Sequence, residues 1–192
     1  MARIEDGIGQ GFVAAVSSTN RLMVSSESVP SIAIASASRQ DAFVANTAVA
    51  SATGLITGLV AGVESGVIWI QNLSPAPLSI GGISAGNTGA GVWKVIKNPT
   101  SAAALLTVIT PVQLNASSSK AFTGAARAAS ASGQAIVGGT VTALGYVTAG
   151  FNDLQLAGAL ILGASNSVAL SFTPIGGNAD VSVNIICAYL AG

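Results

Sequence analysis

Residues 160–190 read LILGASNSVALSFTPIGGNADVSVNIICAYL, and they carry the clearest strand pattern in the chain. Between Ser167 and Phe172, apolar and small side chains alternate, which indicates a half-buried strand because successive strand side chains point to opposite faces. Pro174 predicts the end of that strand, since proline cannot donate to a sheet ladder. The glycines and asparagine at 176–178 predict a turn back into a second strand, and so a β-hairpin.

The predicted second strand has one apolar face, made by Val183, Ile185, Cys187 and Tyr189. Its other face starts with small polar side chains at 182 and 184 and becomes apolar at Ile186 and Leu190. We therefore expect water on one side of the first half, and cover on both sides of the second half. Another copy of the chain is the second cover that we expect.

The composition favours a folded protein that associates with itself. Of 192 residues, 51% are apolar and 7% are charged, whereas an average domain carries roughly 25% charged residues. This argues against disorder, because disordered chains are charged and poor in aliphatic residues. A neutral, weakly charged monomer tends to associate. We therefore predict a homotrimer whose interface includes Trp69, Ile186 and Leu190.

Charge and hydropathy argue against nucleic acid and membranes as partners. Seven basic and seven acidic residues cancel, whereas phosphate binding needs clustered cations. The close basic pair, Lys94 and Lys97, is interpreted as a solvated strand edge. The most apolar window, residues 48–63, is shorter than the roughly 20 residues of a membrane span, and its composition favours two short strands. Residues 1–6 carry acids where a signal peptide carries bases, so we expect no signal peptide.

Turn residues divide most of the chain into short strands. Residues 67–73, 78–83 and 92–97 follow one another with tight connections, which predicts a meander. Residues 116–134 lack periodicity and predict a loop or a short helical excursion. Further strands are expected within 105–110, 112–115, 136–147 and 154–162. Eight or more short strands at this spacing predict an all-β sandwich over residues 31–192, with little helix.

Side chains suited to catalysis or metal binding are sparse. The lack of histidine removes Ser/His and Cys/His pairs, and the lone Cys187 is interpreted as a buried, inert thiol. Since no acids show the spacing of a catalytic pair, we predict no enzyme, no cofactor and no metal. Asn178 and Asp180 could hold calcium, but a turn with side-chain hydrogen bonds is favoured. Trp69 and Trp93 could form a sugar platform, but core or interface positions are favoured.

Residues 1–30 differ from the rest of the chain. They hold five of the fourteen charged residues, together with glycines that permit an irregular path. We predict an extended N-terminal arm that binds another surface, with a first strand of the sandwich as the alternative. The apolar and guanidinium groups expected to anchor it are those of Arg3, Phe12, Arg21, Leu22 and Met23.

Several short fragments of the chain occur in an order that resembles that of a known family of proteins. They are Asp6-Gly7 with Asn20-Arg21-Leu22, then 67–72, 115–120, 136–140 and the turn-linked strands of 160–178. In this order they resemble virion structural proteins of tailed bacteriophages. Such proteins carry an extended N-terminal arm before a jelly-roll-like β-sandwich and are often trimeric. They decorate or cement the capsid, or serve as head-fibre or tail attachments.

The resemblance implies a capsid decoration protein on the outer surface of the virion, made in the host cytoplasm. It would bridge subunits of the major capsid protein and stabilise the shell, because it binds only the assembled form. The main alternative is a head-fibre or tail protein that binds a host receptor. A depolymerase is a more distant alternative, since histidine and paired acids are lacking. The fragments are not catalytic motifs, so no catalytic residue carries over.

Overall fold

The computed structural model describes residues 42–47, 54–100, 105 and 107–190. All of these lie in the range that the sequence assigns to the sandwich. The predicted arm, residues 1–30, lies outside the described residues, so its conformation and its role stay predictions.

The regular structure of the described residues consists of strands without an α-helix, and the predicted all-β sandwich is confirmed. The strands are β1 (Ala42–Asn46), β2 (Ile56–Leu59), β3 (Ser65–Asn72), β4 (Leu78–Asn87), β5 (Gly91–Lys97), β6 (Thr107–Val108), β7 (Val112–Gln113), β8 (Gly124–Ala128), β9 (Thr140–Val147), β10 (Gly150–Leu162), β11 (Ser167–Pro174) and β12 (Ala179–Tyr189). They make two antiparallel sheets. Sheet I has the order β10-β4-β12-β1-β7, with β2 also on β12, and sheet II has the order β6-β8-β3-β11-β5-β9.

Eight of these strands pair as one long ribbon that is folded over on itself. The outgoing strands β1, β3, β4 and β5 pair with the returning strands β12, β11, β10 and β9, respectively. Successive pairs alternate between sheet I and sheet II, and the pairings β4–β12 and β5–β11 close each sheet. A ribbon wound in this way is a jelly roll. The strands between β5 and β9 extend both sheets at one side.

Two predicted strand pairings are wrong. β11 and β12 do not form a hairpin, because the turn at 175–178 crosses from sheet II to sheet I. Strands β3, β4 and β5 do not form a meander, because β4 lies in sheet I while β11 separates β3 from β5. A tight turn favours pairing of consecutive strands. It is equally able to carry the chain across the sandwich, where both strands bury their apolar faces against each other.

The core lies between the two sheets. Val168, Leu170 and Phe172 of β11 are at most 2% exposed, and they face the buried side of β12. The predicted face of β12 is confirmed, since its four residues are buried while Asn184 on the opposite face is exposed. Each large apolar side chain that leaves water contributes roughly 1.5–3 kcal/mol.

Gly91 lets the ring of Phe172 pack against β5. A Cβ atom at Gly91 would lie 2.2 Å from Cζ of Phe172, so only glycine fits beneath the ring. The same ring contacts the indole of Trp93, with centroids 4.6 Å apart. Trp93 is 8% exposed, which confirms the favoured core interpretation.

Two segments differ from their predicted form. Residues 116–134, predicted as a loop or helix, contain β8, whose Ala128 and Ala126 pair with Ile68 and Ile70 of β3. The alanines of β8 lack the β-branched pattern by which strands are recognised, and the neighbouring strand supplies the apolar surface instead. Of the apolar window 48–63, the described part contains one strand, β2, and its glycines at 54, 58 and 62 have positive φ. These backbone conformations exclude a helix there.

Candidate interaction surfaces

The predicted trimer residues lie on opposite outer faces of the sandwich. Trp69 pairs with Ala169 across β3 and β11, on the face turned away from sheet I. Ile186 lies on the outer face of sheet I, and Leu190 follows the end of β12. Both are half-buried, whereas Trp69 is 7% exposed within a single chain. The structure does not bring these three residues together, and their role in a trimer stays a prediction.

The predicted anchors of the arm lie outside the described residues. They are Arg3, Phe12, Arg21, Leu22 and Met23. Their contacts with a partner surface therefore stay predictions.

Lys94 lies in the interior of sheet II, so its assignment to a solvated strand edge is wrong. It is on β5, between β11 and β9, and its ammonium lies 2.5 Å from Oε2 of Glu64. The hydroxyl of Ser171 donates to Oε1 of the same carboxylate at 2.6 Å. Both charged side chains are 31% exposed. The sequence did not link Glu64 to Lys94, because the two residues meet only when β11 pairs with β3 on one side and with β5 on the other.

The charge of Glu64 is stabilised by these two partners. Burial alone would raise the pKa of its carboxyl group. The hydrogen bonds from Lys94 and Ser171 and the charge of Lys94 outweigh burial, and the pKa lies below its ordinary value. Because both carboxylate oxygens are occupied, we interpret the cluster as a structural ion pair on the outer face of sheet II.

Asn178 and Asp180 bind backbone amides from a distant segment rather than from their own turn. Oδ1 of Asp180 accepts the N–H of Gly58 at 2.8 Å, and Oδ1 of Asn178 accepts the N–H of Ala61 at 3.2 Å. These bonds tie the segment around β2 to the start of β12. No group of three or more His, Cys, Asp or Glu side chains among the described residues could hold a metal ion.

Cys187 is buried on the core face of β12, as predicted. Burial raises the pKa of its thiol to about 12, so almost none of it is the reactive thiolate at neutral pH. Burial also raises the pKa of the neighbouring Tyr189 to about 12. The Tyr189 hydroxyl donates to the carbonyl of Thr123 at 2.6 Å, which ties β12 to the segment before β8.

The first open side of the sandwich, the β9–β10 side, is where β9 and β10 form the edges of the two sheets. Between them lies a cavity of about 240 Å³ with apolar walls that include Trp93 and Leu170, and with Asn152 and Asp153 at its β10 wall. Tyr146 and Phe151, 68% and 67% exposed, lie on either side of the β9–β10 turn. Sequence reasoning missed both aromatic residues. The sequence signal that could have revealed them is their position next to a two-residue turn, where few other residues can cover a side chain.

The second open side, the β6–β7 side, is where the short strands β6 and β7 end the two sheets. A groove of about 370 Å³ lies here, and its lining includes Phe43, Phe122, Lys120 and Arg127. The rings of Phe43 and Phe122 meet edge to face at 5.5 Å. Val108 of β6 is 67% exposed beside the groove. This side therefore combines apolar surface with two cations.

Comparison of the chain with protein-family models, with curated proteins and with solved structures finds no match. Within the described ranges, no helical segment has the length and hydropathy of a membrane span. The function must therefore be inferred from the fold, from its two open sides and from the fragments that resemble virion proteins.

Proposed function

We propose that this chain is a virion structural protein: a decoration, or cement, protein that binds the outer surface of a tailed-bacteriophage head as a homotrimer and acts without catalysis. The observation that carries the proposal is the exposure of large apolar side chains on both open sides of a jelly roll. Soluble monomers rarely leave large contiguous apolar surfaces in water. A chain with only 7% charged residues has little else to keep such surfaces apart.

Shell stabilisation follows from binding to the assembled head alone. A ligand that binds one state stabilises that state by RT ln(1 + [L]/Kd), which is about 2.7 kcal/mol at one hundred times Kd. Many equivalent sites on a shell would multiply this term. In this proposal the arm, residues 1–30, makes the capsid contact with the major capsid protein, and the sandwich makes the trimer.

The decisive experiment mixes undecorated phage heads with the full-length protein and with a variant that lacks residues 2–28. We expect the full-length protein to co-sediment with heads and the deletion variant to stay in the supernatant as a trimer. The substitution Arg21→Glu within the full chain should weaken binding in the same direction, with Lys97→Glu as the control outside the arm. Full occupancy of heads by the deletion variant would place the contact elsewhere, and a monomeric variant would assign the arm to the sandwich.

A head-fibre or receptor-binding role is the second candidate, and the exposed rings of Tyr146 and Phe151 favour it. Exposed aromatic rings are common in sites that bind sugars, because their faces stack on apolar sugar surfaces. Gold-labelled protein in negative-stain images separates the two roles. Labels over the whole shell support decoration, whereas labels at one pole, together with loss of host-glycan binding in Tyr146→Ala, support the receptor-binding role.

A further inference from the structure

The two open sides of the sandwich expose sheet edges of very different length. On the β9–β10 side, β9 is 8 residues long and β10 is 13 residues long. On the β6–β7 side, each edge strand has 2 residues. A long edge strand presents unpaired backbone groups, and soluble proteins usually protect such edges with charges, proline or a covering element. β9 contains neither a charged residue nor proline, so its edge suits a protein partner.

The charges of the two sides are opposite in sign. Residues 140–162, which contain β9 and β10, hold a single charged residue, Asp153. Residues 105–128, which contain β6, β7 and β8, hold only Lys120 and Arg127. Asp153 and Lys120 are both exposed. The contact of one side with the other therefore pairs an acid with cations, whereas the contact of like sides brings like charges together.

The apolar surfaces of the two sides are also complementary, because one side has exposed aromatic rings and the other has a groove. Tyr146 and Phe151 are large exposed aromatic groups next to the first side, Tyr146 on the outer face of sheet II and Phe151 on the outer face of sheet I. The second side offers a concave groove, with Val108 and Val112 exposed nearby. Aromatic anchors that fill a pocket on the partner are typical of the centre of a protein interface.

We propose that the β9–β10 side of one copy binds the β6–β7 side of the next copy, with Asp153 facing Lys120 and Arg127. Because the two sides lie at opposite ends of both sheets, the contact is heterologous, and repeating it produces a closed ring or an open filament. This proposal rests on the proposed homotrimer, which would be a closed ring of three copies. It identifies the two surfaces that would form the interface.

The first test is sedimentation velocity of the full chain with matched charge changes. Asp153→Asn and Asn184→Lys each raise the net charge by one, but Asn184 lies on the outer face of β12, away from both sides. We expect Asp153→Asn and Lys120→Gln to weaken trimer formation by roughly tenfold or more, and Asn184→Lys to leave it unchanged. Unchanged trimers in both Asp153→Asn and Lys120→Gln would overturn the contact.

The second test is cross-linking with a short bismaleimide. Cys187 is buried, so its background reaction is low. The double variant Asp153→Cys/Lys120→Cys should form covalent trimers, while each single variant should stay uncrosslinked. Covalent dimers from Asp153→Cys alone would show that like sides meet, and would overturn the head-to-tail contact.

These outcomes are separate from those of the decoration proposal. Cross-linked trimers that do not bind heads would leave the contact intact and remove the capsid function. Heads that are decorated by trimers, together with covalent dimers from a single-cysteine variant, would support the capsid function and overturn the head-to-tail contact. Circular dichroism melting of every variant confirms that a loss of association is not a loss of folding.

Discussion

The two open sides of this jelly roll solve the problem of sheet edges in different ways. The β6–β7 side ends in two-residue strands, so few unpaired backbone groups face water, and two cations stand beside its groove. The β9–β10 side ends in long strands with one acid and two exposed aromatic rings. The short strands leave few unpaired backbone groups on the first side, whereas the long β9 edge of the second side suits a contact such as the proposed one. The difference teaches that the two sides suit each other better than themselves, which is the basis of the proposed head-to-tail contact.

The largest expected effect comes from the packing beneath the β6–β7 side. Phe43 is 1% exposed and its ring contacts Phe122 and Tyr189. We expect Phe43→Ala to lower the free energy of unfolding by about 3–5 kcal/mol, because it removes apolar contacts and leaves a cavity. Urea unfolding measures this change, and Val112→Ala, at an exposed position on the same side, is the control. A loss below about 1 kcal/mol would show that the groove floor is not part of the core.

The next effect tests the packing beneath the β9–β10 side. Gly91→Ala places a methyl group against the ring of Phe172, at 2.2 Å from its Cζ atom. We expect a loss of about 1–3 kcal/mol in the free energy of unfolding, the usual cost of overpacking. Gly177→Ala meets open space and is the matched control. Equal stabilities of the two variants would contradict the close approach of the ring.

A smaller, pH-dependent effect is expected from Glu64, on the face between the two sides. Its pKa is lowered in the folded state, so its stabilisation is present above the unfolded value of about 4.5 and is lost as the pH falls through the folded pKa. Because the carboxylate is partly exposed, we expect Glu64→Gln to cost about 1 kcal/mol at pH 7 and less at pH 3. Urea unfolding at both pH values measures the difference. A cost that is the same at pH 3 would show that the charge does not contribute, and Lys94→Met should remove most of the effect.

The smallest effect on folding is expected at the exposed rings. Tyr146→Ser and Phe151→Ser should each change the unfolding free energy of the monomer by no more than about 0.5 kcal/mol, since both side chains are mostly in water. The same substitutions should weaken association, because they remove the aromatic anchors of the β9–β10 side. Thermal melting and sedimentation of the same samples measure the two quantities. A large loss of stability with unchanged association would reverse the comparison between the two sides.

Local patterns were sufficient to predict most of the strands and the state of Cys187. Alternation at 167–172 predicted β11, the apolar run at 183–189 predicted the core face of β12, and the apolar neighbours of Cys187 predicted its burial. These properties depend on side chains that are adjacent in sequence. Strand β8 was missed because its alanines have no such pattern.

The candidate surfaces could be predicted only in part. Trp69 was predicted as a trimer-interface residue because it is large and lies in an apolar strand, yet it is buried within a single chain. Tyr146, Phe151 and Asp153 are the exposed residues on which the proposed contact of the β9–β10 side depends, and the sequence did not predict them as interaction residues. Exposure of an aromatic residue depends on whether another strand covers it, and among the described residues no strand pairs with the outer edges of β9 and β10.

By itself, the sequence determined an all-β chain of short strands with a buried thiol and few charges. Only the tertiary structure decided which strands pair, which sheet each joins and which sides stay open. The pairing of Ala42 with Ala188 joins residues near opposite ends of the chain. An alternating strand buries its apolar face equally well beside any suitable neighbour, so the choice is made by all the strands packing together. For that reason, the proposed contact between copies could be formulated only once the edges of both sheets were known.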